Sequence, residues 1–552
     1  MFSGRKYAVF LAFCLVFAIL AARLFYFMAY DGKNLAKAAS IQRIADSQIG
    51  RQRGEILDRN GIPFTNRSDR ILAVFQPLVL RYNPLALEEA CRKLGLDFFR
   101  MKREMEEHRE PVLVEISPES KNNVSGLGLK GVSFVRTLKR YDDHSLARHI
   151  TGYLNKVDSL GQTGVERSFN DALGNSRGDV IAAVTDGNRN LVKGLGYRLI
   201  RLADKNRQMD VKLTLDYHIQ DITERAMNES GLTGAAVVED VLNGDIVAIS
   251  SKPDFDQNNI GNYLNSPRNE LFNRAVASYN LGSLFKIIDV AAALENGLPV
   301  GDSYFCSGSI HVGDKDFKCL SYERGGHGLV DLDKAFAYSC NPFFINMSLK
   351  LGVKNILDMS GKFGLGAKTG VYQQGIEESS GNLPPVEWLF SPGDTANISI
   401  GQGDIMATPL QMVNVIATIA NGGIKNRINI VDSVTDRNGD IVREIRKKEG
   451  SRIISKDTSD RIRELMEGVM EYGTGSRVKL DAYGGAGGKT ASAETGQVID
   501  GQKVVHAWFG GYFPKTNPRY AMVVFIENGR AGGESAGPIF EKVAREILRK
   551  GL

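Results

Sequence analysis

Cysteine is scarce in this chain, five residues in 552, which excludes a disulfide-stapled scaffold. Charge of one sign is not in excess either. The 69 basic and 64 acidic residues leave a formal net charge of +5, and the basic residues are scattered, so no nucleic-acid footprint is implied. No internal repeat and no low-complexity tract is visible, and beyond residue 30 no second apolar run is long enough to cross a bilayer. The sequence stops just after its last expected helix, so no appended C-terminal module is expected.

What is present is an ordinary globular balance, 43% hydrophobic and 24% charged, with a length that suggests about three or four domain-sized units. One long apolar run does exist. Residues 7–22 are unbroken apolar sequence, and after Arg23 the character resumes to Tyr30, enough to span a bilayer with Arg23 snorkelling. No clean Ala-x-Ala cleavage site follows, so an uncleaved anchor is expected over 7–29, with 1–6 as a short cytoplasmic tail. Arg5 and Lys6 precede the run while Arg23, Lys33, Lys37 and Arg43 follow it, so the positive-inside rule decides little about orientation.

Residues 30–205 mix short strand-like runs, such as 71–75 and 112–116, with a charged helical stretch over 87–110. The strings Arg53-Gly54-Glu55 and 161–167 read as structural turns and interface. From about residue 206 the elements become longer. A helix is expected over 214–229, and a hairpin joins 235–239 to 245–250 around Asn243-Gly244. Strands follow at 487–494, 504–513 and 520–527, with a closing helix at 535–550. Strands at both ends and helices between them predict an α+β domain, one antiparallel sheet assembled from its two termini with helices on its faces.

Ser283-Leu284-Phe285-Lys286 begins an apolar helix just after Gly282. Spacing of three places the Lys286 amine one turn from the Ser283 hydroxyl, and burial lowers a lysine pKa, so the pair reads as nucleophile and base. The same four residues also fit an ordinary core helix with a capping serine and a snorkelling lysine. Two further short motifs follow in order, Ser339-Cys340-Asn341 and Lys489-Thr490-Ala491. Cys306, Cys319, His327 and Cys340 fall in one window, and three thiols with one imidazole form a recognised tetrahedral zinc set. A Cys306 to Cys319 disulfide, or buried free thiols, would explain the same residues. His311 and Asp314 are spare ligands. His506 and Trp508 read equally as cleft lining or core, and His144, His149 and His218 are assigned no role.

With the apolar N-terminus, the Arg53-Gly54-Glu55 and 161–167 strings, Asn273-Arg274-Ala275 and Ile400-Gly401-Gln402-Gly403, these motifs make the whole chain resemble the class B penicillin-binding proteins, the monofunctional peptidoglycan D,D-transpeptidases. The resemblance implies a penicillin-binding transpeptidase fold, a five-stranded antiparallel sheet flanked by helices at 206–552, with a dimerisation or pedestal domain at 30–205. It implies Ser283 as the acylated nucleophile, Lys286 as its proton acceptor, and Ser339 as a proton relay. Asn341 would hold Lys286 and the substrate amide, and Lys489 with Thr490 would bind the terminal carboxylate. The backbone N–H groups of Ser283 and Ser492 would form the oxyanion hole.

No organic cofactor is implied. Some elongation-type and spore-type relatives hold a zinc beside the second motif, and Gly326-His327-Gly328 matches their histidine site, so the resemblance points to a structural Zn²⁺ on Cys306, Cys319, His327 and Cys340. Expected partners are peptidoglycan stem peptides, on a lipid-linked precursor or nascent glycan, β-lactams, and a membrane glycosyltransferase. The expected location is the cell membrane, single-pass, with the catalytic domain outside. Two positions depart from the family pattern: Leu281 stands where proline is usual, and Ala491 where the third motif usually ends in glycine. A serine β-lactamase, a D,D-carboxypeptidase and a catalytically weak scaffold for a glycan polymerase are the alternatives.

Overall fold

The computed structural model describes residues 3–26, 44–47, 53–108, 111–117, 119–120, 131–155, 159–174, 179–184, 197–201, 209–389, 391–499 and 502–552. An apolar N-terminal helix covers Ser3–Tyr26. Its segment Val9–Tyr26 has a mean hydropathy of 2.4 and is long enough to cross a membrane. Residues 27–29 of the expected anchor lie outside the described residues.

The chain divides into two compact units. The first takes Met1–Arg53, Asp69–Leu138 and Ser176–Lys205, while Gly54–Ser68 and Lys139–Asn175 belong to the second with Asn206–Leu552. In the first unit, strand Ser68–Phe75 pairs antiparallel with Val112–Ile116. The single helical stretch expected over 87–110 is two helices, Pro84–Leu94 and Phe98–Glu107. Gly95 ends the first at φ 69°, and the Asp97 carboxylate caps the second, so a left-handed turn and a new cap split it.

In the second unit, helix α1 (Tyr217–Ser230) starts where the Asp216 side chain accepts from the His218 and Ile219 N–H groups. It is followed by strands β1 (Gly234–Asp240) and β2 (Ile246–Lys252), the expected hairpin. Helix α2 is Lys286–Glu295 and α3 is Asn341–Leu351. Helix α4 (Pro409–Ala420) begins at a Thr408–Gln411 capping box with Pro409 in its first turn, and every residue in it is buried. Strands β3 (Gly487–Ile499), β4 (Gln502–Phe513) and β5 (Tyr520–Gly529) precede the closing helix α5 (Gly537–Lys550).

The five strands form one antiparallel sheet in the order β2-β1-β5-β4-β3. Residues of β1 alternate between its two covered faces. Ala236 and Val238 pack with Ile219 and Ile222 of α1 and Ile539 and Val543 of α5. Ala235 and Val237 pack with the cluster that holds α2 and α4. The third motif lies on β3, an edge strand of the sheet.

Candidate active site

Ser283 sits in a 3-10 turn, Gly282–Phe285, and α2 proper begins at Lys286. The helix start is therefore three residues later than its sequence pattern suggests. Gly282 has φ +54°, and a Cβ there would lie 2.8 Å from Ser492 O on β3. Gly282 N donates to Gly401 O at 2.9 Å, and a Cβ on Gly401 would collide with Gly282 O. Glycine is required at both positions, since backbone meets backbone with no room between. The Ile400-Gly401-Gln402-Gly403 string thus buttresses the turn that carries Ser283. Asn280 adds to this, donating from Nδ2 to Gly403 O at 2.8 Å and Ile405 O at 2.9 Å.

Lys286 is fully buried. Its Nζ donates to Ser339 O at 2.8 Å, Ser339 Oγ at 3.2 Å and Asn341 Oδ1 at 2.8 Å. The amine is therefore turned to the second motif rather than hydrogen-bonded to Ser283. Lys489, also fully buried, donates to Ser339 Oγ at 3.0 Å and to Thr490 O at 3.1 Å. Ser339 holds φ +59°, a left-handed conformation that a serine adopts at a cost of about 1 kcal/mol. Asn341 Nδ2 donates to Lys318 O at 3.0 Å, which orients its amide so that the oxygen faces Lys286.

Burial pushes Lys286 down to about 8, against the pull of the Cys340 and Cys319 sulfurs and of Asp289. Burial, and then the Lys286 charge, hold Lys489 well below the usual lysine range. Two buried ammonium groups converging on one hydroxyl make a site that favours loss of a proton from one of them and attracts a carboxylate to the other.

Several functional neighbours have no signal in the sequence. Thr490 Oγ1 and Thr474 Oγ1 are 2.6 Å apart, joining the third motif to the loop after a distant helix. Asp289, one turn beyond Lys286, is fully buried, and neither carboxylate oxygen has a hydrogen-bond partner among the described residues. Burial raises it well above the usual carboxyl range, against the pull of the Lys286 charge.

Trp508 and His506 are packing residues. The Trp508 indole donates to Asn280 O at 3.1 Å, three residues before Ser283, and His506 lies edge-on to Tyr279 and Phe525. Buried Arg274 donates to Glu527 Oε2 at 2.9 Å, and Tyr279 donates to the other oxygen at 3.0 Å, which accounts for the Asn273-Arg274-Ala275 string. His149 is a core histidine whose ring nitrogen meets Glu270 O at 2.8 Å.

Ala491 is 3% exposed and packs in the cluster that includes Trp508 and Leu281, so its methyl is core and not cleft surface. The close chain approach at this position comes from the other side, because a Cβ on Gly532 would collide with Ala491 O and Trp508 O.

The structure brings Cys306, Cys319, His327 and Cys340 together. Their ligand atoms all lie within 4.8 Å of one another, and all three cysteines are buried free thiols, so no Cys306 to Cys319 disulfide is present. His311 is not in the group; it pairs with Asp316 at 2.9 Å. His327 Nδ1 lies 3.9 Å from Cys306 Sγ and 3.4 Å from Cys319 Sγ, close to the roughly 3.5–3.8 Å edges of a tetrahedron with zinc bond lengths. Hydrogen bonding from Cys340 holds the Cys319 thiol well below the usual thiol range, with His327 and Ser321 adding to it. The donor set and spacing fit a tetrahedral zinc. Tyr338 stacks on the His327 ring at 5.6 Å.

Residues 234–545 match the family described as Penicillin binding protein transpeptidase domain. The Stage V sporulation protein D of Bacillus subtilis is 30% identical, with 97% of this chain and 84% of that protein covered. The Peptidoglycan D,D-transpeptidase MrdA of Acinetobacter baumannii is 27% identical, with 95% and 85% covered. A solved structure titled "Structural coordination of polymerization and crosslinking by a peptidoglycan synthase complex" superposes with a TM-score of 0.72 at 25% identity, over 100% of this chain and 99% of that one. The Penicillin-Binding Protein (PBP2) from Helicobacter pylori has the same fold, with a TM-score of 0.70 at 22% identity over 91% and 98%.

The chain belongs to the penicillin-binding transpeptidase family, with the mixed α and β fold and antiparallel sheet expected. Its end-to-end likeness to these relatives places it among the class B penicillin-binding proteins, the serine D,D-transpeptidases.

Proposed function

We propose that this chain cross-links peptidoglycan stem peptides through an acyl-enzyme on Ser283. The observation that carries the assignment of roles is the convergence of Lys286 and Lys489 on Ser339 Oγ, at 3.2 and 3.0 Å. Ser283 Oγ attacks the carbonyl carbon of the penultimate D-alanine and gives its proton to neutral Lys286. The ester C–O bond forms as the peptide C–N bond breaks, and the departing D-alanine nitrogen takes a proton relayed through Ser339 Oγ. An acceptor amine then attacks the ester, forms the new C–N bond, and returns a proton to Ser283.

Asn341 keeps the Lys286 amine in place. Lys489 and Thr490 receive the terminal carboxylate of the donor. Backbone N–H groups of Ser283 and Ser492 stabilise the oxyanion, a reading supported by the approach of Gly282 to Ser492 O. A β-lactam meets the same attack, and its opened ring stays attached.

Cys306, Cys319, His327 and Cys340 hold a structural zinc in this reading. A zinc held there would serve a structural part, fixing through Cys340 the loop that carries Ser339 and Asn341. Residues 1–6, 7–29, 30–205 and 206–552 serve as tail, anchor, pedestal and transpeptidase domain, with the last two outside the membrane. A membrane glycosyltransferase is the proposed partner, by likeness to the synthase complex in that solved structure.

Intact mass and peptide mapping of the full-length protein after benzylpenicillin treatment test the assignment. One adduct on Ser283, absent in Ser283→Ala, is expected; an adduct on another residue sinks it.

A further inference from the structure

A second polar cavity, of about 580 Å³, opens in the same unit between the end of helix Val353–Phe363, helix α4 and strands Ile424–Asn426 and Gly450–Arg452. None of the three catalytic motifs lines it. Its volume is in the range of pockets that hold drug-sized ligands. Three cations face it, Lys368, Lys425 and Arg427, against one carboxylate, Glu449.

Two of the cations and the carboxylate are held in place by neighbours. Arg427 Nη2 donates to Gln373 Oε1 at 3.1 Å, and its Nη1 reaches Glu449 Oε2 at 3.4 Å. The Lys368 ammonium lies 4.5 Å from the centre of the Tyr372 ring. Lys425 differs. It is half-buried, and among the described residues its Nζ makes no hydrogen bond or ion pair. Space for it comes from Gly364, at φ +94°, where any Cβ would collide with Lys425 Nζ. Burial holds Lys425 below the usual lysine range, with the Glu239 carboxyl pulling the other way. A partly desolvated ammonium with no hydrogen-bond or ion-pair partner among the described residues gains most from an anionic oxygen brought by a ligand.

Resting on the reading of the chain as a stem-peptide transpeptidase, we infer that this cavity is a second, non-catalytic site for an uncross-linked stem peptide. The lining is mixed and not uniformly basic, and it suits a zwitterion. Peptide carboxylates meet Lys425 and Arg427, while the free amine that makes such a peptide an acceptor meets Glu449. Asn414, whose Nδ2 is engaged by Glu239 Oε1 at 2.8 Å and Asn426 O at 3.1 Å, gives the wall a fixed polar surface.

The test uses full-length protein in detergent, first acylated to completion with benzylpenicillin so that the catalytic cleft is blocked. A soluble uncross-linked disaccharide-pentapeptide is then titrated calorimetrically. Saturable one-to-one binding is expected in the acylated wild type, weakened about tenfold or more in Lys425→Gln and Arg427→Gln, with penicillin acylation rates unchanged. N-acetylating the peptide amine should weaken binding to the wild type but not to Glu449→Gln. Absence of saturable binding, equal affinity in Lys425→Gln, or tighter binding of inorganic pyrophosphate than of the peptide would overturn the site. If no penicillin adduct forms, the assignment of Ser283 fails instead, and Ser283→Ala protein serves for the same titration.

Discussion

Lys489 Nζ donates to Ser339 Oγ across 3.0 Å, joining the edge strand of the sheet to the turn before α3. The hydroxyl also accepts from Lys286, so it is the point where all three motifs meet. Because Ser339 is held at φ +59°, function and stability pull apart there. Ser339→Gly should melt at or above the wild-type temperature, since glycine removes a left-handed strain of about 1 kcal/mol. Its acylation by a fluorescent penicillin should be slower by about a hundredfold or more. Acylation within a few-fold of wild type would end the relay role.

Asp289 is a buried carboxyl with two unpartnered oxygens, which is unfavourable for the fold. Asp289→Val, apolar and of similar size, should stabilise the protein by about 1–3 kcal/mol, read as a rise in melting temperature. A fall would mean that the carboxyl has a partner in solution, such as water.

Glu239 carries the clearest pH dependence. Burial pushes its carboxyl up to about 8; Asn414 opposes this by hydrogen bonding, Asp240 and Asp245 add to it, and Lys425 opposes it. A carboxyl raised in the folded state contributes stability that is fully present below its unfolded pKa near 4.5 and is lost as pH rises through the folded value. The melting temperature of wild type should therefore fall relative to Glu239→Gln between pH 4.5 and about 8 and run parallel above that. Parallel curves across the whole range would contradict the shift.

Ala491→Gly removes a buried methyl from a strand interior. A loss of roughly 1 kcal/mol is expected in denaturant melts, with penicillin acylation changed by less than about threefold because the methyl faces core and not cleft. A tenfold faster acylation in the variant would place the methyl at the substrate after all.

For the thiol cluster, elemental analysis should find about one zinc per chain. Chelation should lower both the melting temperature and the acylation rate, and Cys319→Ser should reproduce both effects. Metal-free protein with unchanged acylation would leave the four residues as a packed thiol core.

Much of this site was legible because its chemistry is local in sequence. Ser283 and Lys286 share one turn, Ser339 and Asn341 another, and Lys489 and Thr490 adjoin on one strand. Strand periodicity and Asn243-Gly244 likewise located the sheet. What could not be read were pairings set only by packing. Thr474 meets Thr490, and Glu527 ties Arg274 to Tyr279, with nothing in the spacing to announce either. Asp289 passed as one polar residue in an apolar helix, because burial of its last face depends on neighbours from elsewhere in the chain. Segments 54–68 and 139–175 cluster with the second compact unit through long-range contacts that no local pattern carries.

Gly282 and Gly401 touch through bare backbone, and that contact bears on how such a protein can change under antibiotic pressure. A lineage can exchange side chains around the cleft and let neighbours repack. At these two positions there is no rotamer to adjust, so any added atom displaces the serine itself. Substitution at this contact would shift the turn that carries Ser283, and with it whatever that turn presents to substrate and drug alike.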